Sequence, residues 1–237
     1  LSLPHWLRDQ PRYALIRRAV ERCTPGPACS EWVRQVLARD GIASEVLALP
    51  VMTPPPLLRT PDPAPTLLYC GRLDEEKGVD LLLRAMAQVP GARIRLAGQG
   101  PLRTELEALA RFLRVDAEFL GWRDPADLEP EFARAWALAA PSRWAEPLGL
   151  VAAEAIVRGV PAIVPSTGGL AEIVTPGESG WHFTSGGEAS LAESLRQALS
   201  YLHPLPASVV AAARSKYGIS AHTESLRKVF FEAIRRG

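Results

Sequence analysis

An α/β fold is predicted: a Rossmann-like parallel sheet with helices on both faces, preceded by a partial second α/β segment. Three observations predict it. From residue 66 onward, short apolar runs alternate with helical stretches of about ten residues or more. Short strands set between helices of that length point to a parallel sheet covered on both faces. A proline-dense stretch, Thr53 to Pro65, sets this region apart from the residues before it.

Taken in order, residues 1–52 hold two helical stretches, at about 12–22 and 31–39, and a short strand over Val46–Pro50. Ser30 is placed to cap the second helix and Gly41 to end it. Residues 53–65 carry six prolines in thirteen positions, which cannot build an element interior, so an extended linker is expected. Strands are then predicted at Thr66–Cys70, Arg93–Ala97, Glu118–Leu120, Trp136–Ala140 and Val160–Val164. Helices are predicted near 79–88, 102–113, 125–134, 147–158, 188–200 and 222–235. In the second of these, Leu102, Leu106, Leu109 and Leu113 share one face.

The bulk properties narrow the function. The net charge of +1 argues against a nucleic-acid partner. No apolar run is long enough to span a membrane. Three cysteines without a CxxC pair point to a reducing compartment, so a cytoplasmic location is expected, with peripheral attachment at the inner membrane face compatible with it. The four histidines are scattered without metal-ligand spacing, so no metal is expected. The chain opens on Leu1 with neither an initiator Met nor a signal-peptide pattern, which reads as a cut or processed chain.

Ligands of such sheets bind at the carboxyl ends of the strands, and four loops there could carry chemistry. The first is Gly71-Arg-Leu-Asp-Glu-Glu-Lys-Gly78, in which Arg72 and Lys77 could hold a diphosphate near a helix start. The same residues also fit a charged turn in which both cations pair with Asp74, Glu75 and Glu76. The second is the tight Gly98-Gln-Gly100-Pro turn, suited to an anion or to turn geometry alone. The third runs from Pro141 and Ser142 through Glu146, Pro147, Leu148, Gly149 and Leu150 to Glu154. Pro147 suits a first helical turn. That would put Glu146 at the positive helix end and Glu154 about 12 Å along the axis. Glu154 then needs a partner, either ribose hydroxyls or Arg158 at i,i+4. The fourth loop brings Gly168 and Gly169 to the start of a short helix. Trp122, after Gly121, offers an aromatic wall for a base or plain packing.

In their order and spacing these motifs are similar to one family pattern. Tyr69-Cys-Gly-Arg-Leu-Asp-Glu-Glu-Lys-Gly78, Gly98-Gln-Gly-Pro101, Phe119-Leu-Gly121, Ala140-Pro-Ser142, Glu146-x7-Glu154 with Gly159-Val-Pro161, and Gly168-Gly-Leu-Ala-Glu172 follow one another. The set resembles the C-terminal donor-binding domain of family 4 retaining glycosyltransferases of the GT-B group. The resemblance is strong over about 65–235 and faint over 20–50. It implies that residues 66–219 bind the donor, that 220–237 form a crossover helix, and that 1–52 are the end of an acceptor domain otherwise absent. It further implies a nucleoside diphosphate sugar as substrate, with UDP and GDP the expected nucleotides and UDP ahead, and no cofactor or metal. The acceptor would be a saccharide or lipid-linked glycan, held by the missing domain. Arg72 and Lys77 would hold the diphosphate, Glu146 the sugar and Glu154 the ribose, with the amides of Gly149 and Leu150 facing the phosphates. The other expected donor-side positions are Gly71, Gly98, Gly100, Trp122, Ser142, Pro147, Leu148, Gly168 and Gly169. Two alternatives stand beside transfer: a nucleotide-sugar epimerase on the same plan, and a non-catalytic binding subunit.

Overall fold

The computed structural model describes residues 26–54, 58–200 and 204–236, so the helix expected at about 12–22 lies outside the described residues. The first part is a small parallel pair, β1 (Gly26–Ala28) and β2 (Ser44–Val46), joined by helix α1 (Glu31–Arg39). Ser30 caps α1 as expected, its Oγ accepting the Val33 N–H at 3.1 Å. Two prolines and a glycine made a strand before Ser30 unexpected, yet β1 forms there. The amide of Gly26 bonds Ala43 and the carbonyl of Ala28 accepts from Leu47, while Pro27 falls between, where its missing N–H breaks no bond. The strand expected at 46–50 lies earlier, at Ser44–Val46. Past Leu47 the chain leaves β1, and Val51 is buried with its amide on the Tyr217 carbonyl at 2.9 Å.

The described part of the proline-rich stretch has no regular structure, but side chains hold it to the body of the fold. Arg59 donates to the carbonyls of Gly159 and Ala135, and Asp62 pairs with Arg95 at 2.8 Å and Arg134 at 2.9 Å. Burial lowers the pKa of Arg59 to about 10, so its charge persists at neutral pH.

The main sheet has six parallel strands in the order β5-β4-β3-β6-β7-β8: β3 (Thr66–Cys70), β4 (Arg93–Ala97), β5 (Asp116–Gly121), β6 (Ala137–Ala139), β7 (Ala162–Pro165) and β8 (Gly180–Phe183). Between them run α2 (Val79–Met86), α3 (Arg103–Leu113), α4 (Pro125–Arg134), α5 (Leu150–Ile156) and α6 (Gly169–Ile173). Helices α7 (Glu188–Ser200), α8 (Ala207–Tyr217) and α9 (Ile219–Arg236) follow. Side chains alternate strictly across the sheet. Leu67, Tyr69, Ile94, Leu96, Ala137, Ala139 and Ile163 pack with α2, α3 and α7. Leu68, Leu138, Ala162 and Val164 pack on the other face with residues of α4, α5 and α8. Two-sided burial is what short strands set between long helices required.

Several features of this half depart from the sequence reading. Strand β8 was not anticipated, since Gly180-Trp-His-Phe183 is neither a uniform apolar run nor an alternating one. Helix α8 was also missed, because its Ala- and Val-rich sequence carries no one-sided stripe, and α9 starts at Ile219 rather than 222. Helix α5 begins only at Leu150, with Gly149 as its N-cap at φ +80°, so Pro147 lies before the helix rather than in its first turn. Arg59→Ala should lower stability by about 1.5–3 kcal/mol, the scale of lost charge-assisted bonds to two helix-end carbonyls. Urea unfolding checks this, and an unchanged midpoint would show that the stretch merely rests on the surface.

Candidate functional site

Strand order reverses between β3 and β6, so the chain crosses to opposite faces on leaving these two neighbours and a crevice opens beyond their carboxyl ends. The loop after β3 (residues 71–78) and the loop after β6 (residues 140–149) form its two walls. They are tied across the gap. The Lys77 ammonium lies 2.8 Å from Glu146 Oε1, and the Ser142 hydroxyl donates to that same oxygen. The Arg143 amide bonds the Glu76 carbonyl at 2.8 Å, and its guanidinium pairs with Asp80 at 2.7 Å. Glu146 is only 8% exposed. Burial of a carboxylate demands such partners, while its Oε2 has no hydrogen bond among the described residues.

The charged-turn alternative for Arg72 and Lys77 therefore holds for one residue of the two. Arg72 pairs with Asp74 at 2.9 Å but remains 70% exposed, a loose pair of small energetic weight. Lys77 leaves the acidic turn for Glu146.

Beside this crevice, a cavity of about 310 Å³ opens at the ends of β3, β4 and β5. Its lining includes Gly71, Arg72, Gly98, Gln99, Trp122 and Arg123. Trp122 is 64% exposed, so it is a cavity wall and not core packing. Cys70 lies at the cavity floor, where burial and then the nearby Glu154 carboxylate push its thiol pKa far up. Glu154 is half-buried on α5, and its own pKa is raised, first by burial and further by Glu129, against the opposing pull of Arg158. The expected i,i+4 pair does not form. Arg158 grips Glu129 through three bonds of 2.6–3.2 Å and gives its remaining bond to the Glu154 backbone carbonyl. Glu154 thus keeps a carboxylate with no hydrogen-bond partner among the described residues. Because residues 146–149 are not helical, the 12 Å axial spacing of the two glutamates does not apply.

The glycines of these loops sit where backbones touch. A Cβ on Gly98 would stand 1.8 Å from the Gly71 carbonyl oxygen, one on Gly100 2.2 Å from that of Leu73, and one on Gly169 2.3 Å from that of Pro147. A Cβ on Gly168 would press on the backbone of Ala145 and Glu146 at 2.9 Å. Loop-to-loop packing alone accounts for glycine at these four positions. Leu148, at the turn into α5, is buried in the core. Sequence reading passed over Gln99, Arg123 and Glu172. The first two were findable as neighbours of Gly98 and Trp122 at strand ends. Glu172 stood only as the last residue of the Gly168-Gly-Leu-Ala-Glu172 motif, and its contact was not legible, since its carboxylate is used 141 residues away, on the Glu31 amide.

With this geometry in view, comparison with known proteins is decisive at the family level. Residues 57–216 match the family described as glycosyl transferases group 1. The chain belongs to that family. The glycogen synthase of Mycobacterium tuberculosis is 37% identical over 139 residues, which cover 56% of this chain and 33% of that protein. The sulfoquinovosyl transferase SQD2 of Arabidopsis thaliana is 33% identical over 138 residues, covering 57% and 26%. The chain thus spans a third or less of these relatives. Among solved structures, the sucrose-phosphate synthase of Thermosynechococcus elongatus superposes with a TM-score of 0.82 at 22% identity, over 99% of this chain and 64% of its own. Anabaena Alr3699/HepE, solved in complex with UDP-glucose, gives 0.79 at 21%, over 94% and 70%. The fold of this group 1 chain is that of the GT-B glycosyltransferases, and the expected sheet architecture is the observed one. Among the described residues no helix is long and apolar enough to cross a membrane.

The raised pKa of Glu154 gives a stability test with a definite sign. Its proton is held more tightly in the folded state, so the group favours folding below its ordinary value of 4.5. That contribution is lost as pH rises through the raised pKa. Glu154→Gln should therefore match the parent in acid and melt above it at neutral pH. Paired thermal melts across that window check this, and a parent that melts higher at neutral pH would refute the unpartnered carboxylate.

Proposed function

We propose that this chain is the donor-binding half of a retaining hexosyltransferase that uses a nucleoside diphosphate sugar without a bound metal. The observation that carries the reading is Glu154. A half-buried carboxylate with no partner, near enough to act on the cavity-lining Cys70, suits two vicinal ribose hydroxyls, whose donated bonds would offset its burial. Membership of the glycosyl transferases group 1 family supports the reaction class.

From the ribose, the base would lie against Trp122, and the diphosphate would extend toward the gap between the two walls. Arg72, loosely held by Asp74, can turn to phosphate, and Lys77 adds a second positive charge. The amides of Gly149 and Leu150 would face the same phosphates. As the bond from the anomeric carbon to the diphosphate breaks, negative charge grows on the leaving oxygen. Fixed cations there stabilise that charge more than they stabilise the bound donor, which lowers the barrier. Two cations also supply charge that a metal would otherwise bring. Glu146, fixed by Lys77 and Ser142, presents Oε2 to the sugar hydroxyls near the anomeric carbon. UDP is the favoured nucleotide, a preference supported by the UDP-glucose complex of HepE. The acceptor, a saccharide or lipid-linked glycan, would be held by an N-terminal domain of which residues 1–52 are the end, and the reaction would be cytoplasmic.

Calorimetry with UDP, GDP and their sugars tests this. Replacing Arg72 and Lys77 together by Ala should weaken nucleoside diphosphate binding about 100-fold or more, the loss of two charge-assisted contacts. Unchanged affinity would remove the diphosphate assignment. Glu154→Ala should weaken nucleotide and sugar nucleotide alike by roughly tenfold. Glu146→Ala should weaken only the sugar nucleotide. Equal behaviour of the two variants would misplace the donor.

A further inference from the structure

The loop that carries Glu146 is held from a second side, by the N-terminal segment. Ser30, 1% exposed, accepts the Val33 amide with its hydroxyl and donates the hydroxyl proton to the Pro147 carbonyl at 2.5 Å. The Cys29 thiol points to the same carbonyl at 3.6 Å. Next to them, the Glu172 carboxylate accepts the two first amides of α1, from Glu31 at 2.9 Å and from Trp32. Glu172 stands on α6, whose first residue, Gly169, donates its amide to the Glu146 carbonyl at 2.7 Å. The far end of the loop is closed as well, because Leu170 of α6 packs where a Cβ on Gly149 would stand. The successive carbonyls of Glu146 and Pro147 are thus both gripped, the first by α6 and the second by the cap of α1.

We infer that Ser30 and Glu172 form a positioning clamp through which the N-terminal segment sets the Glu146 loop for the sugar end of the donor. The inference rests on the donor reading given above and extends it to residues that touch no donor. Its physical content lies in the amides at the start of α1, which have no partner within the helix. A carboxylate from another segment satisfies two of them and complements the helix dipole, so α1 and α6 move as one body. Ser30 then carries that body's position directly to Pro147. When the clamp is released, Glu146 keeps Lys77 and Ser142 but loses the fixed backbone from which its side chain extends. The nucleotide end of the site, at Glu154 and Trp122, has no bond to the clamp.

The test is paired calorimetry on the full chain, with UDP against UDP-glucose and GDP against GDP-mannose, for Ser30→Ala, Ser30→Thr, Glu172→Gln and Arg34→Ala. Ser30→Ala and Glu172→Gln should weaken the sugar nucleotide about five- to tenfold, the scale of one lost hydrogen bond. Their affinity for the bare nucleotide should change less than about twofold, within the scatter of a site left intact. Ser30→Thr, which keeps the hydroxyl, should restore the parent value. Arg34→Ala removes the 2.5 Å side-chain pair with Glu31 but leaves the Ser30 and Glu172 bonds in place, and should change neither affinity. Equal losses for nucleotide and sugar nucleotide, parent-like binding by the two clamp variants, or an Arg34→Ala effect matching theirs would each overturn the inference. A parent that binds none of the four probes would overturn the donor reading, and the clamp with it.

Discussion

Everything in the crevice depends on the reversal of strand order between β3 and β6. Two neighbouring parallel strands send their chains to opposite faces of the sheet, so their carboxyl ends part and leave a gap that no connection fills. The Lys77–Glu146 pair bridges that gap with a charge from each wall. Neither wall could satisfy its own charge as well: Glu146 is nearly buried, and the turn that holds Lys77 is already acidic. The pair therefore keeps the walls in register while it places a cation and a carboxylate where a diphosphate sugar would need them.

A second constraint is closeness of backbone. The loops after β3, β4 and β6 and the start of α6 touch one another without side chains between them, at Gly71 with Gly98, Leu73 with Gly100, and Pro147 with Gly169. Packing of this kind costs side-chain freedom nothing and fixes the loops as a single surface. The polar residues that line the cavity extend from that surface, so their spacing is set by the backbone and not by flexible side chains.

The unpartnered Glu154 carboxylate is a cost borne by the unliganded fold. Arg158, one turn away, could have offset it but is taken by Glu129 and by a backbone carbonyl. In the proposed donor reading, ribose hydroxyls would supply the missing bonds. The clamp at Ser30 and Glu172 is the opposite case, since every group in it is paired. It has the character of a support, and the proposed donor reading makes Glu154 a receptor.

The sequence by itself determined the sheet, because two-sided burial leaves a local mark. Thr66–Cys70 is apolar on both faces, Arg93–Ala97 sets Ile94 and Leu96 on one face and an ion-paired Arg95 on the other, and the bounds of both were legible to the residue. The helices with one-sided stripes were legible for the same reason, as was Ser30, whose cap acts within four residues. The ordered motifs also identified the family. What only the tertiary structure decided involves partners distant in the chain. Lys77 chose Glu146 over its own acidic turn, Arg158 chose Glu129 over Glu154, and Glu172 reached the amides of α1. The start of α5 moved past Pro147 because Gly149 takes a left-handed backbone against Leu170, a contact no local pattern records. Strand β8 formed without an apolar run because a parallel edge beside β7 was there to receive it. Periodicity reports which face of a segment is buried. It does not report which distant charge or backbone will be waiting there.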